Sequence, residues 1–259
     1  MRERSSDIVT PERLVFIGGL HRSGTTLLAE LLGAHSDISA LTGTSVWHDE
    51  GQFLQDVVPT AHECGGPGRF AYASSAHLTE ADVDDATSIR RCLLDAWQPY
   101  WELDRAYLVE KSPPNLLRFR YLQRVFPEAL FIAIVRHPVA VAYATAGWAQ
   151  VGVGDLLDHW LHAHEIFVKD RAVLDRIETV QYEQLVADVP GTLAQLHRAI
   201  GVRPEVPAIE VRRDTNERYL RRFRHSRFWP THPRVLLTGQ RYERRLNALG
   251  FGYSFHDRP

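Results

Sequence analysis

The sequence has little lysine, little cysteine and no long apolar run, and each shortage excludes a class of protein. Lysine occurs only at Lys111 and Lys169, and arginine supplies the other basic side chains. Two cysteines, Cys64 and Cys92, do not make a disulfide framework, and neither has the spacing of a metal site. No apolar run approaches the roughly 20 residues that span a bilayer. The first residues also lack the apolar stretch of a signal peptide, so we expect a cytoplasmic protein without a membrane partner.

The composition is that of a globular domain. The chain has 259 residues, of which 44% are hydrophobic and 24% charged, enough for a substantial core. A net charge of −2 gives no general attraction to nucleic acid, and we expect no such partner. We interpret residues 1–259 as a single domain with a flexible start at 1–12. Residues 203–259 are rich in arginine and form either a solvated face or the border of a site for a polyanion such as a nucleotide.

Strand and helix patterns alternate along the chain. Four segments read as strands, at residues 14–17, 107–109, 129–135 and 178–182, and the run 129–135 is apolar on both faces. Helical patterns are found at 24–33, 79–101, 115–125, 155–174 and 189–200, with another helix starting at Pro138. Residues 40–76 are expected to be loop with a short helix near 50–57. The pattern predicts an α/β fold in which helices flank a parallel sheet on both faces.

Ligands of such sheets bind beyond the carboxyl ends of the strands, and a glycine turn lies at the first of these ends. In the segment Gly19–Thr26 two glycines five residues apart precede a hydroxyl residue, which is the P-loop spacing. Thr25 stands where a nucleotide kinase has lysine, and Arg22 can supply the cation. Backbone N–H groups at the helix start favour an anion there. We predict that the anion is bound by Arg22, Ser23, Gly24, Thr25 and Thr26.

The run Arg22-Ser-Gly-Thr-Thr-Leu-Leu after a strand resembles the 5′-phosphosulfate loop of sulfotransferases that use 3′-phosphoadenosine-5′-phosphosulfate (PAPS). It is most similar to the branch that includes tyrosylprotein sulfotransferases and many bacterial enzymes, although His21 stands where they usually have proline. The resemblance spans about residues 14–202. It implies a P-loop NTPase-like sulfotransferase fold and transfer of a sulfuryl group from PAPS to an acceptor hydroxyl. Adenosine 3′,5′-bisphosphate would be released, with no metal required.

Two further segments match the nucleotide site of that family. Arg136, which follows the apolar run 129–135, corresponds to the arginine that binds the 3′-phosphate. Ala144 stands at the position of the family's serine for the same phosphate, and the adjacent Thr145 is a candidate substitute. Tyr182 matches a tyrosine near the nucleotide and could equally be a core aromatic.

The catalytic residues are also implied by the resemblance. Lys111 lies after a strand and before two prolines, where the family often has a lysine facing the reactive sulfate; with Arg22 it would stabilise developing charge. An acceptor hydroxyl needs a general base. The spacing of the tyrosylprotein branch lands on Gly43, so we choose the nearest acidic cluster: Glu50 first, then His48, then Asp49.

Two other functions compete with the sulfotransferase hypothesis. A P-loop kinase should have a loop lysine and a strand ending in a magnesium-binding aspartate, and the sequence has neither. A nucleotide-binding module without catalysis would explain the loop and Arg136 but would give Lys111 no role. The expected acceptor is a small molecule or a peptide that carries a hydroxyl group.

Overall fold

The computed structural model describes residues 9–225 and 242–255. The sheet has five parallel strands: β1 (Leu14–Gly18), β2 (Ile38–Ala40), β3 (Tyr107–Lys111), β4 (Leu130–Val135) and β5 (Ile177–Gln181). They pair in the order β2-β3-β1-β4-β5. Ile17, near the end of the central strand β1, lies opposite Lys111 on one neighbour and Ile132 on the other.

Helices cover both faces of this sheet. Successive side chains of a strand point to opposite faces, and in β1 both sets are apolar. Phe16 packs in a core with Phe131 and Trp160, whereas Ile17 packs in a second core with Leu28. The helices are α1 (Thr25–Gly33), α2 (Ala86–Trp97), α3 (Phe119–Val125), α4 (Pro138–Ala149), α5 (Val153–Arg171), α6 (Tyr182–Ala187), α7 (Val189–Ile200) and α8 (Glu217–Arg224). The predicted parallel α/β sheet is confirmed.

Two local predictions were wrong, and one strand was not predicted. The expected helix at 50–57 is replaced by the 3-10 turn Gly51–Phe53, because Gln52 is held by the Ser112 hydroxyl of a distant segment. A second 3-10 turn, Trp47–Asp49, precedes it, with φ of 53° at His48 and 49° at Asp49. Thr79 and Asp82 form a capping box, but only for the 3-10 turn Glu80–Asp82. The helix α2 starts after a second cap, in which the Asp85 carboxylate accepts the N–H groups of Thr87 and Ser88. The short strand β2 was not predicted.

The strand order creates a crevice at the carboxyl edge of the sheet. The chain leaves β1 towards β2 and β3 on one side and reaches β4 on the other, and such a switch point opens a ligand site. The loop 19–24 lies there because it joins β1 to α1.

Residues at both ends of the described chain pack on the fold. Val9 is buried, as are Phe251, Tyr253 and Phe255. Gln181, the last residue of β5, donates to the Phe251 carbonyl at 2.5 Å. The described chain has no helix long and apolar enough to cross a membrane. Most of the predicted flexible start, residues 1–8, lies outside the described residues, as do 226–241 and 256–259 of the arginine-rich segment.

Candidate active site

The anion loop has a backbone that only certain residues allow. Gly24 has φ of 103°, and a Cβ at this position would lie 2.6 Å from Cδ2 of Tyr182. Glycine is therefore required both for the left-handed conformation and for the close packing of Tyr182. Arg22 also has a positive φ, of 68°. Its side chain is exposed, whereas Ser23 and Thr25 are buried beneath it.

Arg136 joins this loop to the neighbouring strand ends. The buried guanidinium donates from Nη1 to the Arg22 carbonyl at 2.8 Å and from Nε to Asn216 Oδ1 at 2.8 Å. Its carbon lies 4.2 Å from the ring centroid of Tyr182, within the range of a cation–π contact. Burial lowers the pKa of Arg136, and Tyr182 and Glu183 oppose that shift. The structure thus brings together Arg22, Gly24, Arg136 and Tyr182, all predicted as donor-site residues.

Three buried polar atoms of the predicted donor residues lack a hydrogen-bond partner among residues 9–225 and 242–255. They are Ser23 Oγ, Arg136 Nη2 and Thr145 Oγ1. Leaving a buried donor unpaired costs about 1–3 kcal/mol, so such groups are usually satisfied by a ligand or water. All three can donate a hydrogen bond, and oxygens of a phosphate or sulfate can accept it. The residues therefore fit an anionic nucleotide.

Residues of the arginine-rich segment, 203–259, contact Arg136 and Tyr182 of the predicted donor site. Besides Asn216, which bonds to Arg136, Tyr219 lies with its ring centroid 5.9 Å from the Arg136 guanidinium, and Tyr182 donates to Thr215 Oγ1 at 3.3 Å. Asn216 also donates to Glu183, whose other carboxylate oxygen accepts from Tyr253 at 2.5 Å. Part of the segment therefore borders the site, which agrees with one of its two predicted roles.

On the other side of the loop, Lys111 and Glu50 form a buried ion pair. The Lys111 ammonium lies 3.4 Å from Glu50 Oε1 and donates to the His48 carbonyl at 2.8 Å and to Thr26 Oγ1 at 3.3 Å. Burial lowers the pKa of Lys111, while Glu50 favours its charged form. Glu50 Oε2 also accepts from Gln52 Nε2 at 2.5 Å. The structure thus brings Glu50, Lys111 and Thr26 together at one edge of the anion loop.

The other two candidates for the base are placed differently. His48 is exposed, and it is the backbone carbonyl of this residue that contacts Lys111. Asp49 accepts from the N–H and the hydroxyl of Thr44 at 2.8 and 2.5 Å, so its carboxylate caps a turn. Of the three candidates, Glu50 is the one whose side chain contacts Lys111.

A second buried carboxylate behind Lys111 was missed by the sequence analysis. Glu110 accepts from the Ser112 hydroxyl at 2.6 Å and from Asn115 Nδ2 at 2.5 Å. Ser112 in turn accepts from the N–H of Gln52 at 2.9 Å, and Asn115 donates to the Ile17 carbonyl at 3.1 Å. Burial raises the pKa of Glu110 to about 7 against these hydrogen bonds. The sequence did offer a signal, because Glu110 is a charged residue in the strand β3, directly before Lys111. Since adjacent residues of a strand face opposite sides and both faces of this sheet are covered, both charged side chains could be expected to be buried.

These features define a class of protein. An anion loop at the switch point of a parallel α/β sheet, with a buried arginine beyond the next strand, is the architecture of a nucleotide-binding group-transfer protein. Within the part of the chain that the structure describes, no three His, Cys, Asp or Glu side chains are grouped so that they could hold a metal ion. The chain belongs to the sulfotransferase family, whose model matches residues 14–206.

Named relatives and solved structures agree with this assignment. The chain is 28% identical over 200 residues to protein-tyrosine sulfotransferase 1 of Danio rerio, an alignment that covers 73% of this chain and 53% of the relative. It is 29% identical over 146 residues to nodulation protein NoeE of Sinorhizobium fredii, covering 53% and 32%. The chain spans about half the length of the first of these relatives.

The fold is shared with solved sulfotransferases. The sulfotransferase domain of a Synechococcus olefin synthase aligns with a TM-score of 0.51 and 24% identity, over 79% of this chain and 78% of that one. A sulfotransferase from Mycobacterium avium aligns with a TM-score of 0.50 and 16% identity, over 84% and 69%. The predicted P-loop-like sulfotransferase fold and the family resemblance are confirmed.

Proposed function

We propose that this protein transfers a sulfuryl group from PAPS to an acceptor hydroxyl and releases adenosine 3′,5′-bisphosphate. One observation carries the proposal: a glycine loop with a buried, unpartnered hydroxyl at Ser23 lies between a buried arginine with an unpartnered donor and a buried lysine–glutamate pair. A nucleotide-binding module would need the first half of this arrangement and would leave the second without a role. Membership of the sulfotransferase family supports the same reading.

On the donor side, the loop residues Arg22, Ser23, Gly24, Thr25 and Thr26 would hold the 5′-phosphosulfate. The N–H groups in the first turn of α1 have no partner within the helix and add to this site. Arg136 and Thr145 would bind the 3′-phosphate, with Arg136 held in position by Asn216 and by the Arg22 carbonyl. Tyr182 packs between Gly24 and Arg136, so it would support both phosphate sites at once.

At the reacting centre, Glu50 would accept the proton of the acceptor hydroxyl while Lys111 stabilises negative charge on the leaving bisphosphate. When bound, PAPS supplies a sulfuryl group whose bond to the bisphosphate breaks as the bond to the acceptor oxygen forms. Lys111 is held in position by the His48 carbonyl, Thr26 and Glu50. Because this environment is fixed before substrates bind, little reorganisation is needed as charge develops. His48, which lies in the turn before Glu50, is the competing candidate for the base.

A P-loop kinase is disfavoured by two positions. Thr25 replaces the loop lysine, and β4 is followed by Arg136 where a kinase would use an acidic residue for magnesium. A small-molecule or peptide acceptor that carries a hydroxyl, a cytoplasmic location, and the absence of membrane and nucleic-acid partners stay predictions.

Calorimetry of nucleotide binding tests this function. We expect adenosine 3′,5′-bisphosphate to bind without metal and ATP with magnesium to bind at least about tenfold more weakly, because Arg136 would contact a phosphate that ATP lacks. The Arg22→Ala variant should weaken the bisphosphate by about 1–3 kcal/mol. The Arg105→Ala variant, at a half-exposed position just before the start of β3 and so at the amino ends of the strands, is the control. Tighter binding of magnesium–ATP than of the bisphosphate would overturn the proposal.

A further inference from the structure

A carboxylate next to Tyr182 joins three separate segments of the chain, and the mechanism above gives it no role. This residue, Glu183, is half-buried in the first turn of α6. Its Oε1 accepts from the His137 N–H at 3.1 Å and from Asn216 Nδ2, and its Oε2 accepts from the Tyr253 hydroxyl at 2.5 Å. His137 and Asn216 directly precede α4 and α8, and Tyr253 lies in the last described segment, 242–255. Elements that are distant in sequence therefore hold Glu183 in one position beside the donor site.

The contact with Glu183 determines which way the Asn216 amide faces. A carboxylate can only accept hydrogen bonds, and a guanidinium can only donate them. The Asn216 amide lies between one group of each kind, because its Oδ1 accepts from Arg136 Nε at 2.8 Å while its Nδ2 donates to Glu183. The reversed amide would place donor against donor at one end and oxygen against oxygen at the other. Glu183 thus selects the orientation of Asn216 that offers an acceptor to Arg136.

The acceptor on Asn216 is one of the contacts that restrain the Arg136 guanidinium. Nη1 donates to the Arg22 carbonyl at 2.8 Å, and the Tyr182 ring covers one face with its centroid at 4.2 Å. Hydrogen bonds on two nitrogens and a ring on one face fix both the place and the rotation of a planar group. The third nitrogen, Nη2, is buried and has no partner within residues 9–225 and 242–255. Its direction is therefore set by contacts of which one depends on Glu183.

The charge of Glu183 and its hydrogen bonds would act on an anion in opposite ways. The negative charge lies one amide away from the guanidinium and would repel a phosphate there, whereas the hydrogen bond to Asn216 keeps the guanidinium in place. A glutamine separates the two effects, because its oxygen can still accept from the His137 N–H and from Asn216. Its amide nitrogen can donate to Tyr253, whose hydroxyl also reaches the Val135 carbonyl at 3.2 Å.

We propose that Glu183 is a positioning residue for the 3′-phosphate of the donor. Through Asn216 it holds the Arg136 guanidinium so that Nη2 faces the phosphate, and it does so as a hydrogen-bond acceptor rather than as a charge. This inference rests on the proposed function, because the phosphate at Nη2 is that of PAPS. A carboxylate that only supported the fold would affect stability and would leave the choice between nucleotides unaltered.

Calorimetry with adenosine 3′,5′-bisphosphate and adenosine 5′-phosphate tests this role, because the ratio of the two affinities reports on the 3′-phosphate alone. We expect Glu183→Ala to reduce the ratio by about fivefold to tenfold, since the Asn216 amide is released. Glu183→Gln should rescue the ratio to the wild-type value or above it, because the acceptor is kept and the negative charge is removed. Asn216→Leu should reduce the ratio like Glu183→Ala, and it decides the question if Glu183→Ala does not fold.

Asp188→Ala is the matched control for loss of a carboxylate that supports the fold. The Asp188 carboxylate accepts from the N–H of Gly191 at 3.0 Å and caps α7, five residues after Glu183. Its removal should lower the free energy of unfolding, as the loss of a helix cap does, without changing the affinity ratio.

The outcomes separate the two proposals. If the wild-type protein does not bind the bisphosphate, the proposed function fails and the role of Glu183 falls with it. If the wild type prefers the bisphosphate and either Glu183→Ala or Asn216→Leu keeps that preference, only the positioning role is overturned. It is also overturned if Glu183→Gln reduces the ratio as much as Glu183→Ala, or if Asp188→Ala reduces it equally.

Discussion

The two halves of the site differ in whether their buried polar groups already have hydrogen-bond partners. On the donor side, Ser23, Arg136 and Thr145 each have a buried polar atom without a partner in the described chain. On the side of Lys111, the buried charged groups are already hydrogen-bonded to one another through Gln52, Ser112 and Asn115. The first arrangement is suited to receiving a ligand, and the second to holding catalytic groups in position before a ligand arrives. The comparison predicts different consequences for mutations in each half.

The largest effect is expected in the preorganised half. If Glu50 is the base, Glu50→Gln should lower kcat by about 10²–10⁴ while the affinity for adenosine 3′,5′-bisphosphate stays unchanged. Single-turnover assays with His48→Asn and Asp49→Asn are the controls, because asparagine tolerates the positive φ of both positions and the His48 carbonyl that contacts Lys111 is kept. A rate loss confined to His48→Asn would assign the base to His48.

The pH dependence of the free energy of unfolding tests the same half of the site at Glu110. Its pKa is about 7 in the folded protein and near 4.5 in the unfolded chain, so between these values the folded state alone keeps the proton. Raising the pH through this window should therefore lower the free energy of unfolding by on the order of 2–3 kcal/mol relative to Glu110→Gln, with no further difference above it. Urea unfolding from about pH 5 to pH 8 measures this difference. Parallel curves for the two proteins would contradict it.

In the ligand-receiving half, Arg136→Ala should remove the preference for adenosine 3′,5′-bisphosphate over adenosine 5′-phosphate. The expected loss is about 1–3 kcal/mol for the bisphosphate and much less for the monophosphate. Arg176→Ala is a matched control, since this arginine also donates to backbone carbonyls but lies before β5, at the opposite edge of the sheet. A variant that still discriminates like the wild type would mean that another residue reads the 3′-phosphate.

Thr145→Val should have a smaller effect, because it should weaken binding of the bisphosphate without lowering the stability of the protein. Valine keeps the shape and removes the buried unpartnered hydroxyl, so the protein should be no less stable. The affinity for the bisphosphate should fall by about fivefold to tenfold if the hydroxyl binds the 3′-phosphate, and that for adenosine 5′-phosphate should not change. Equal affinities before and after the change would leave Arg136 alone at that phosphate.

No effect is expected from removing metal. Sulfuryl transfer with Lys111 and the loop supplying positive charge needs no divalent ion, so EDTA should leave the rate of transfer unchanged. Activity lost on chelation and restored by magnesium would favour the kinase hypothesis.

The two halves also differ in how well the sequence predicts them. Arg22 and Arg136 follow apolar strands, and the carboxyl ends of parallel strands meet at one edge, so their proximity could be inferred. The choice for Tyr182 stayed open because its contacts with Gly24 and Arg136 depend on how two βα units pack. Gln52 bonds to Ser112 across sixty positions of sequence, and no local pattern predicts such a contact. The helix expected near 50–57 failed because irregular segments are shaped by such tertiary contacts.

The segment that connects β2 to α2, residues 41–85, is a part of the fold whose surface can vary separately from the nucleotide site. It is joined to the rest of the fold at several points, among them the Ser112 hydroxyl, which receives the N–H of Gln52, Arg118, which donates to the Pro59 carbonyl, and Phe70, which packs in the core. It supplies Glu50 and the His48 carbonyl, which both contact Lys111. If those attachments, the buried core side chains and Glu50 are kept, the exposed positions of the segment are open to variation without disturbing the nucleotide half. An evolving or engineered relative could in this way change its acceptor while its donor chemistry is inherited intact.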